Sequence, residues 1–268
     1  MGVAVVTGAS TGIGRATAVR LARDPGTELV LVARRGELLR ELADSLPCRA
    51  TYLAADLTAE DVPQRVRAHL EAEHGGRLHL LVNNAGAAWR GSFAESGYAN
   101  VHRHMELNFD AVVRLTEALL PLLRKAAPSA IVNVASTAGR VSRARSGAYS
   151  ASKSALIGWT DSLHSEERAN GVHVGMVLPG FVATEGFPAT ELREKALTRW
   201  IVSEPGKVAE AIHQCGPGGR AERYVPRPYG LAAALRILAP SLVRRALSGG
   251  AASSLTTSTG GDQTPRPG

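Results

Sequence analysis

The first twenty-two residues narrow the possible folds more than any other stretch. Val3-Ala4-Val5-Val6-Thr7 is a short, mostly β-branched apolar run. It is followed at once by Gly8-Ala9-Ser10-Thr11-Gly12-Ile13-Gly14 and then by Arg15 to Ala22, which has helical periodicity. A buried strand, a glycine turn and a helix in that order form the unit that receives a dinucleotide. The glycines let backbone approach a pyrophosphate, and the helix N-terminus offers it unpaired N–H groups. Gly8, Ser10, Thr11, Gly12, Ile13 and Gly14 are therefore candidate cofactor residues. The spacing is Gly-x3-Gly-x-Gly rather than the general Gly-x-Gly-x2-Gly.

The same alternation continues along the chain. Strand-like runs fall at Val3–Thr7, Glu28–Ala33, Thr51–Ala55, Leu78–Asn83, Ala130–Ala135, Val172–Leu178 and Tyr224–Pro226, with helical stretches between them. This predicts a single α/β domain of the Rossmann type: a doubly wound parallel sheet of about seven strands with helices on both faces. A chain of 268 residues with 44% hydrophobic content can bury one such core. The domain is expected over residues 1–248, with a Gly-, Ser-, Thr- and Pro-rich disordered tail over 249–268.

At the end of the second strand, an acidic residue would engage the ribose hydroxyls of NAD(H). This chain has Arg34 and Arg35 there. A guanidinium binds a 2′-phosphate through charge-assisted bonds, so NADP(H) is favoured over NAD(H), with Arg34 the preferred contact.

Tyr149 and Lys153 stand four residues apart, thirteen and seventeen residues after Ser136. Four residues on a helix is one turn, a rise of roughly 6 Å, so both side chains leave the same face. An ammonium beside a phenol favours phenolate, so Lys153 is expected to draw the Tyr149 pKa down. A serine hydroxyl brought near could polarise a carbonyl.

These residues belong to an ordered series: Thr7-Gly8-x3-Gly12-x-Gly14, Asp56-Leu57, Asn83-Asn84-Ala85-Gly86, Asn108, Ser136, Tyr149-x3-Lys153, and Pro179-Gly180 with Thr184. In this order and spacing the chain resembles the short-chain dehydrogenase/reductase (SDR) family from Thr7 to about Thr184. The resemblance implies an NADP(H)-dependent oxidoreductase that interconverts a carbonyl and a primary or secondary alcohol by hydride transfer. Tyr149 would be the general acid or base, with Lys153 tuning it and holding the nicotinamide ribose. Ser136 would bond the substrate oxygen, and Asn108 would hold a water linking Lys153 to solvent. Asp56 would meet the adenine, beside Leu57, and could also, or only, serve as the N-cap of a helix starting near Glu60. Asn84, Ala85 and Gly86 would lie against the cofactor, and Pro179, Gly180, Val182 and Thr184 would line the nicotinamide and its phosphate. The alternative is a catalytically silent NADP-binding regulatory or interaction protein of the same fold. The extended epimerase and dehydratase branch has a differently spaced glycine turn and fits less well.

The segment Glu185–Ser203 corresponds to the family's mobile lid and carries Phe187 and Trp200. With Trp89, Val141 and Phe181 on other loops, Phe187 would edge a cleft for a small hydrophobic ketone or aldehyde, unless these side chains are ordinary packing.

Cys48 and Cys215 form no disulfide framework, the first strand begins at residue 3, and no run reaches about 18 apolar residues. A cytoplasmic protein is expected. His102 and His104 cannot share a helical face, so no metal site is expected. The net charge of +7 comes with no aromatic platform or nucleic-acid motif, so no nucleic-acid partner is expected.

The family commonly ends in a strand and a short Gly-rich tail. Here residues 228–247 form a basic amphipathic segment instead. Leu231, Leu235, Leu238 and Leu242 share a face, with Arg236 and Arg244 roughly opposite and Pro240 expected to kink or restart the helix. Six arginines and one acid, Glu222, lie between Arg220 and Arg245. The segment either packs on the cleft or a partner subunit, lies peripherally on a membrane, or is poorly ordered. A homodimer or homotetramer is expected.

Overall fold

The computed structural model describes residues 2–183 and 202–248. Seven parallel strands form the central sheet: β1 (Val3–Thr7), β2 (Glu28–Ala33), β3 (Arg49–Ala54), β4 (Leu80–Asn83), β5 (Ser129–Val134), β6 (Val172–Pro179) and, last in chain order, β9 (Glu222–Val225). Their order across the sheet is β3-β2-β1-β4-β5-β6-β9. The α/β doubly wound sheet expected from the sequence is therefore present, and five of its seven strands shift at one or both ends by one or two residues. A short two-stranded ribbon, β7 (Phe181–Val182) with β8 (Val202–Ser203), was not expected.

Strands β1, β4 and β5 are buried along their whole length. Both faces of the sheet are covered, so these strands are continuous apolar runs rather than alternating ones. Alternation reappears in which core each residue enters. Ala4 and Val6 face a core with Ala18 and Leu21 of α1 (Gly12–Leu21), Leu39 and Leu42 of α2 (Gly36–Ser45), and Val208 and Ile212 of α7 (Pro205–Cys215). Val3 and Val5 face the other core, with Val66 and Leu70 of α3 (Val62–His74) and Leu115, Leu119 and Leu123 of α5 (Ala111–Lys125). A strand's period of two thus divides one sequence between two cores.

Polar side chains also cross the sheet. Asn83 and Asn133 are register partners on β4 and β5. Asn83 Nδ2 donates to Asn133 Oδ1 at 2.9 Å and to Thr116 Oγ1 at 3.1 Å, and Asn133 Nδ2 donates to Thr160 Oγ1 at 2.9 Å. These bonds tie the centre of the sheet to α5 and to α6 (Gly147–Glu167).

Strand order reverses between β1 and β4, and all strands are parallel, so their C-terminal ends open onto one edge. Ligands bind at such a switch point. On that edge lie Gly8–Gly14, Arg34–Arg35, Ala55–Leu57, Asn84–Gly86, Ser136 and Gly180–Phe181.

Helix α3 begins at Val62 with Asp61 as its N-cap residue, so Asp56 is not a helix cap. At the C-terminus, α8 (Tyr229–Leu238) and α9 (Pro240–Ser248) are separate helices. Ala239, before the proline, sits at φ −134° and ψ 62°, outside the helical region that proline disfavours for the residue before it. Residues 249–268, expected as a disordered tail, lie outside the described residues. So do Thr184, Phe187 and Trp200. Of the expected lid, only Val202 and Ser203 are described, and they form β8.

Candidate active site

The glycine turn and the loop after β4 are interlocked. Thr7 Oγ1 donates to Val82 O at 3.2 Å and accepts from Asn84 N and Ala85 N, each at 3.0 Å. Asn84 Nδ2 donates to Thr7 O at 2.8 Å. Gly8 takes φ +64° and Gly12 φ +56°, the left-handed region where only glycine is at ease. A Cβ on Gly8 would stand 2.9 Å from Ala85 Cα, and one on Gly14 would stand 2.1 Å from Gly8 O. The backbone is therefore bare where the α1 N-terminus opens. Ser10 is buried, and Ile13 packs against the first core. This cradle fits the pyrophosphate of a dinucleotide.

The structure redistributes the two arginines. Arg35 Nη2 donates to Thr11 Oγ1 at 2.8 Å and reaches Ser10 Oγ at 3.5 Å. Arg34 is exposed and forms no hydrogen bond among the described residues. The cation brought to the turn is thus Arg35, although the sequence reading favoured Arg34. Asp56 Oδ1 accepts from Thr58 N at 3.1 Å and Thr58 Oγ1 at 2.9 Å, closing an Asx turn at the edge. Leu57 packs on the second core.

The four residues singled out for chemistry converge. Asn108 lies in a single π turn (Glu106–Asp110) between α4 (Phe93–Met105) and α5. Such turns recur at functional sites because one extra residue re-aims the side chains. Its Oδ1 accepts from Ala87 N and its Nδ2 donates to Ala87 O and to Ser152 Oγ, all at 3.0 Å. A Cβ on Gly86 would stand 2.8 Å from Asn108 Oδ1 and 3.4 Å from Lys153 Nζ. Gly86, Asn108 and Lys153 therefore share one small volume. Lys153 is buried, and its Nζ donates to Val134 O at 2.8 Å. Ser136 is in extended backbone at the N-cap of a short 3-10 turn (Thr137–Gly139). It accepts from Ala138 N at 3.1 Å and donates to Pro179 O at 3.4 Å. Its side chain also lies beside the Tyr149 phenol.

One expectation is overturned. Burial pushes the Tyr149 phenol above its ordinary value, and the group that partly offsets this is Ser136, not Lys153. The ammonium is committed to the Val134 carbonyl, and burial lowers Lys153 itself to about 8. Desolvation disfavours the charged form of both groups and outweighs the attraction that their spacing suggested.

Sequence reasoning missed His104. It is fully buried, four residues before Asn108, a spacing that could have placed both on one helical face. Its Nδ1–H donates to Asn100 O at 2.7 Å and its Nε2 accepts from Trp89 N at 3.0 Å, which fixes one neutral tautomer. Burial lowers its pKa accordingly. Its ring meets Trp89 edge-on at 4.9 Å and Tyr149 at 6.1 Å. Arg103 covers the Trp89 ring at 4.6 Å. Trp89 is thus a wall held by α4.

Phe181 lies under the Arg143 guanidinium at 4.5 Å, and the Tyr229 ring fills the space beside Gly180. Val182 is buried, and Val141 is half-buried with its N–H bonded to Thr137 O at 2.9 Å. Arg143 and Tyr229 come from distant parts of the chain, and no local pattern announced them. Among the described residues no cluster of three His, Cys, Asp or Glu side chains is placed to hold a metal.

Comparison with known proteins agrees with this geometry. A sequence model of the family described as short chain dehydrogenase matches residues 2–195. Ketoacyl reductase HetN of Nostoc sp. is 32% identical over 210 residues, covering 78% of this chain and 72% of that protein. Sulfoacetaldehyde reductase 2 of Chromohalobacter salexigens is 37% identical over 187 residues, covering 68% of this chain and 73% of that protein. The crystal structure of a short-chain dehydrogenase from Streptomyces avermitilis superposes with a TM-score of 0.74 at 31% identity, covering 91% of this chain and 97% of that one.

Proposed function

The chain belongs to the short-chain dehydrogenase family, an oxidoreductase family that acts on carbonyl and alcohol groups with a nicotinamide cofactor, and we propose that it is an NADP(H)-dependent member. It interconverts a carbonyl and a primary or secondary alcohol on a small hydrophobic substrate. The observation that carries this reading is the meeting of Asn108 and Lys153 at Gly86, one helical turn from Tyr149, with Ser136 beside the Tyr149 phenol.

The bound cofactor supplies the hydride; the protein supplies position and proton. Gly8, Gly12 and Gly14 would accept the pyrophosphate, with Ser10, Thr11 and Ile13 in the same turn. Asp56 and Leu57 would edge the adenine, and Asn84, Ala85 and Gly86 the ribose. Pro179, Gly180, Val182 and Thr184 would flank the nicotinamide. Arg35, already on Thr11, supports a preference for a 2′-phosphate.

In carbonyl reduction Tyr149 gives its hydroxyl proton to the substrate oxygen as negative charge develops there. A phenol raised by burial keeps its proton at neutral pH, which is the state that reduction consumes. Ser136 donates to the same oxygen, exchanging its long bond to Pro179 O for a better acceptor. Lys153 would hold the nicotinamide ribose, and Asn108 holds the Ala87 backbone that closes the pocket floor. Trp89, Val141 and Phe181 would supply an apolar rim. The active unit is a dimer or tetramer.

The test is a titration with NADPH and with NADH followed by nicotinamide fluorescence, then turnover of hydrophobic ketones and aldehydes. Tyr149→Phe should lose at least about a hundredfold in kcat while NADPH affinity stays within twofold. Unchanged turnover in that variant would remove Tyr149 from its role. Cofactor binding with no turnover of any carbonyl would favour the silent, cofactor-sensing alternative.

A further inference from the structure

Helix α8 is amphipathic but faces the wrong way for a helix packed on its own protein. Leu231, Leu235 and Leu238 recur at helical spacing on one face, and they are 70%, 49% and 83% exposed. The residue it buries is Ala233, and Tyr229 anchors its start against Gly180. After the break at Ala239, α9 extends the outward apolar surface with Leu242, 61% exposed. Leu231, Leu235, Ile237, Leu238 and Leu242 account for five of the eight large hydrophobic side chains exposed among the described residues.

The charge along this segment has one sign. From Arg223 to Ser248 the sequence contains no aspartate or glutamate. Arg227 and Arg244 are exposed and Arg236 is half-buried. The acid just before the segment, Glu222, lies 3.3 Å from Arg140. Two occupants could cover an apolar face of this size. A second copy pairing through the same face would cover the leucines but leave the segment's one-signed charge uncompensated, because an isologous contact repeats one patch on both sides. An anionic bilayer surface neutralises those arginines and takes the leucines into its acyl boundary. No helix among the described residues is long and apolar enough to cross a membrane, so the contact lies in the interfacial plane.

We propose that α8 and α9 form a docking face by which this protein rests on anionic lipid membranes. Tyr229 joins that face to the Gly180–Phe181 loop, so the substrate side of the pocket lies next to the lipid. This placement suits delivery of an apolar carbonyl from the bilayer.

The experiment is flotation of the full-length protein with vesicles of phosphatidylcholine alone, or with about a third phosphatidylglycerol, at low and high salt. The expected result is binding to the anionic vesicles at low salt, at least tenfold weaker on neutral vesicles or at high salt. Leu231→Ser/Leu235→Ser/Leu238→Ser should reduce binding at least tenfold without lowering the melting temperature, since these side chains already face solvent. Arg227→Gln/Arg236→Gln/Arg244→Gln should reduce it roughly fivefold per arginine. Absence of wild-type binding to anionic vesicles at low salt overturns the proposal. So does a leucine variant that binds like wild type, or one that melts early because the leucines are packed. A wild-type dimer that ignores vesicles, and that the leucine variant splits into monomers, would assign the face to a second copy instead.

Discussion

Gly14→Ala isolates the claim that the first glycine turn is a cradle shaped by the absence of side chains. Gly14 is buried in the first turn of α1. Its new Cβ would stand 2.1 Å from Gly8 O and 2.7 Å from Asn84 Nδ2, where ordinary contact begins at 3.4 Å. The shortfall against a backbone oxygen is about 1.3 Å, and no side-chain rotation relieves it. Either α1 moves off the turn or the Gly8 carbonyl swings away and strains the Asn84 bond to Thr7 O. Overpacking of this kind costs roughly 1–3 kcal/mol, and the weakened hydrogen bond adds about 1 kcal/mol. The better helix propensity of alanine returns about 1 kcal/mol. The net loss is about 1–3 kcal/mol, which in a chain of this size lowers the melting temperature by roughly 2–12 °C. Cofactor affinity should fall further, at least about tenfold, because the displaced atoms are the ones proposed to receive the pyrophosphate. Gly158→Ala is the internal control. It lies in the middle of exposed α6 surface with nothing within 4 Å of its Cβ, and alanine there should stabilise by about 0.5–1 kcal/mol. Differential scanning calorimetry and an NADPH titration on both variants decide the matter. Wild-type melting and wild-type affinity in Gly14→Ala would refute the cradle.

Three further outcomes are expected. Arg35→Ala should weaken NADPH at least tenfold and NADH little, whereas Arg34→Ala should change their ratio less; fluorescence titrations giving the reverse order would restore Arg34 to the 2′-phosphate. For pH, Lys153 is lowered to about 8, so kcat/KM for carbonyl reduction should be flat near neutral pH and fall as pH rises through about 8, when the ammonium is lost; a profile flat to the ordinary lysine range would contradict this. The same shift has a stability sign: the unfolded chain binds more protons between about 8 and the ordinary 10.5, so the cofactor-free fold should gain stability as pH rises across that window, readable by chemical denaturation at several pH values. His104→Phe removes both the acceptor for Trp89 N–H and the donor to Asn100 O. It should destabilise by about 1–3 kcal/mol and raise KM for the carbonyl while NADPH affinity holds, and unchanged KM would make His104 a purely structural residue.

The sheet was legible because its signal is local. Val3–Thr7 and Glu28–Ala33 are buried on both faces, and a continuous β-branched run says so without reference to anything distant. The pocket floor was legible for a related reason: Gly8, Gly86 and Tyr149-x3-Lys153 each follow a strand end or share one helical turn, so spacing alone sets their neighbours. What stayed hidden depends on which atoms compete for a charge. Spacing placed Lys153 near Tyr149, but it could not reveal that Val134 O would claim the ammonium or that burial would raise the phenol. Adjacent Arg34 and Arg35 are equivalent in sequence. Only the turn from β2 into α2 selects Arg35, as the N-cap residue, to reach back to Thr11. The hydrophobic repeat of α8 was equally plain, yet periodicity says only that the leucines share a face. The direction of that face is fixed at Tyr229 and Ala233, where small and aromatic side chains seat the helix on the Gly180 loop and turn its leucines away from the protein. A periodic pattern therefore reads an element reliably, whereas its partner is chosen by the few residues that touch first.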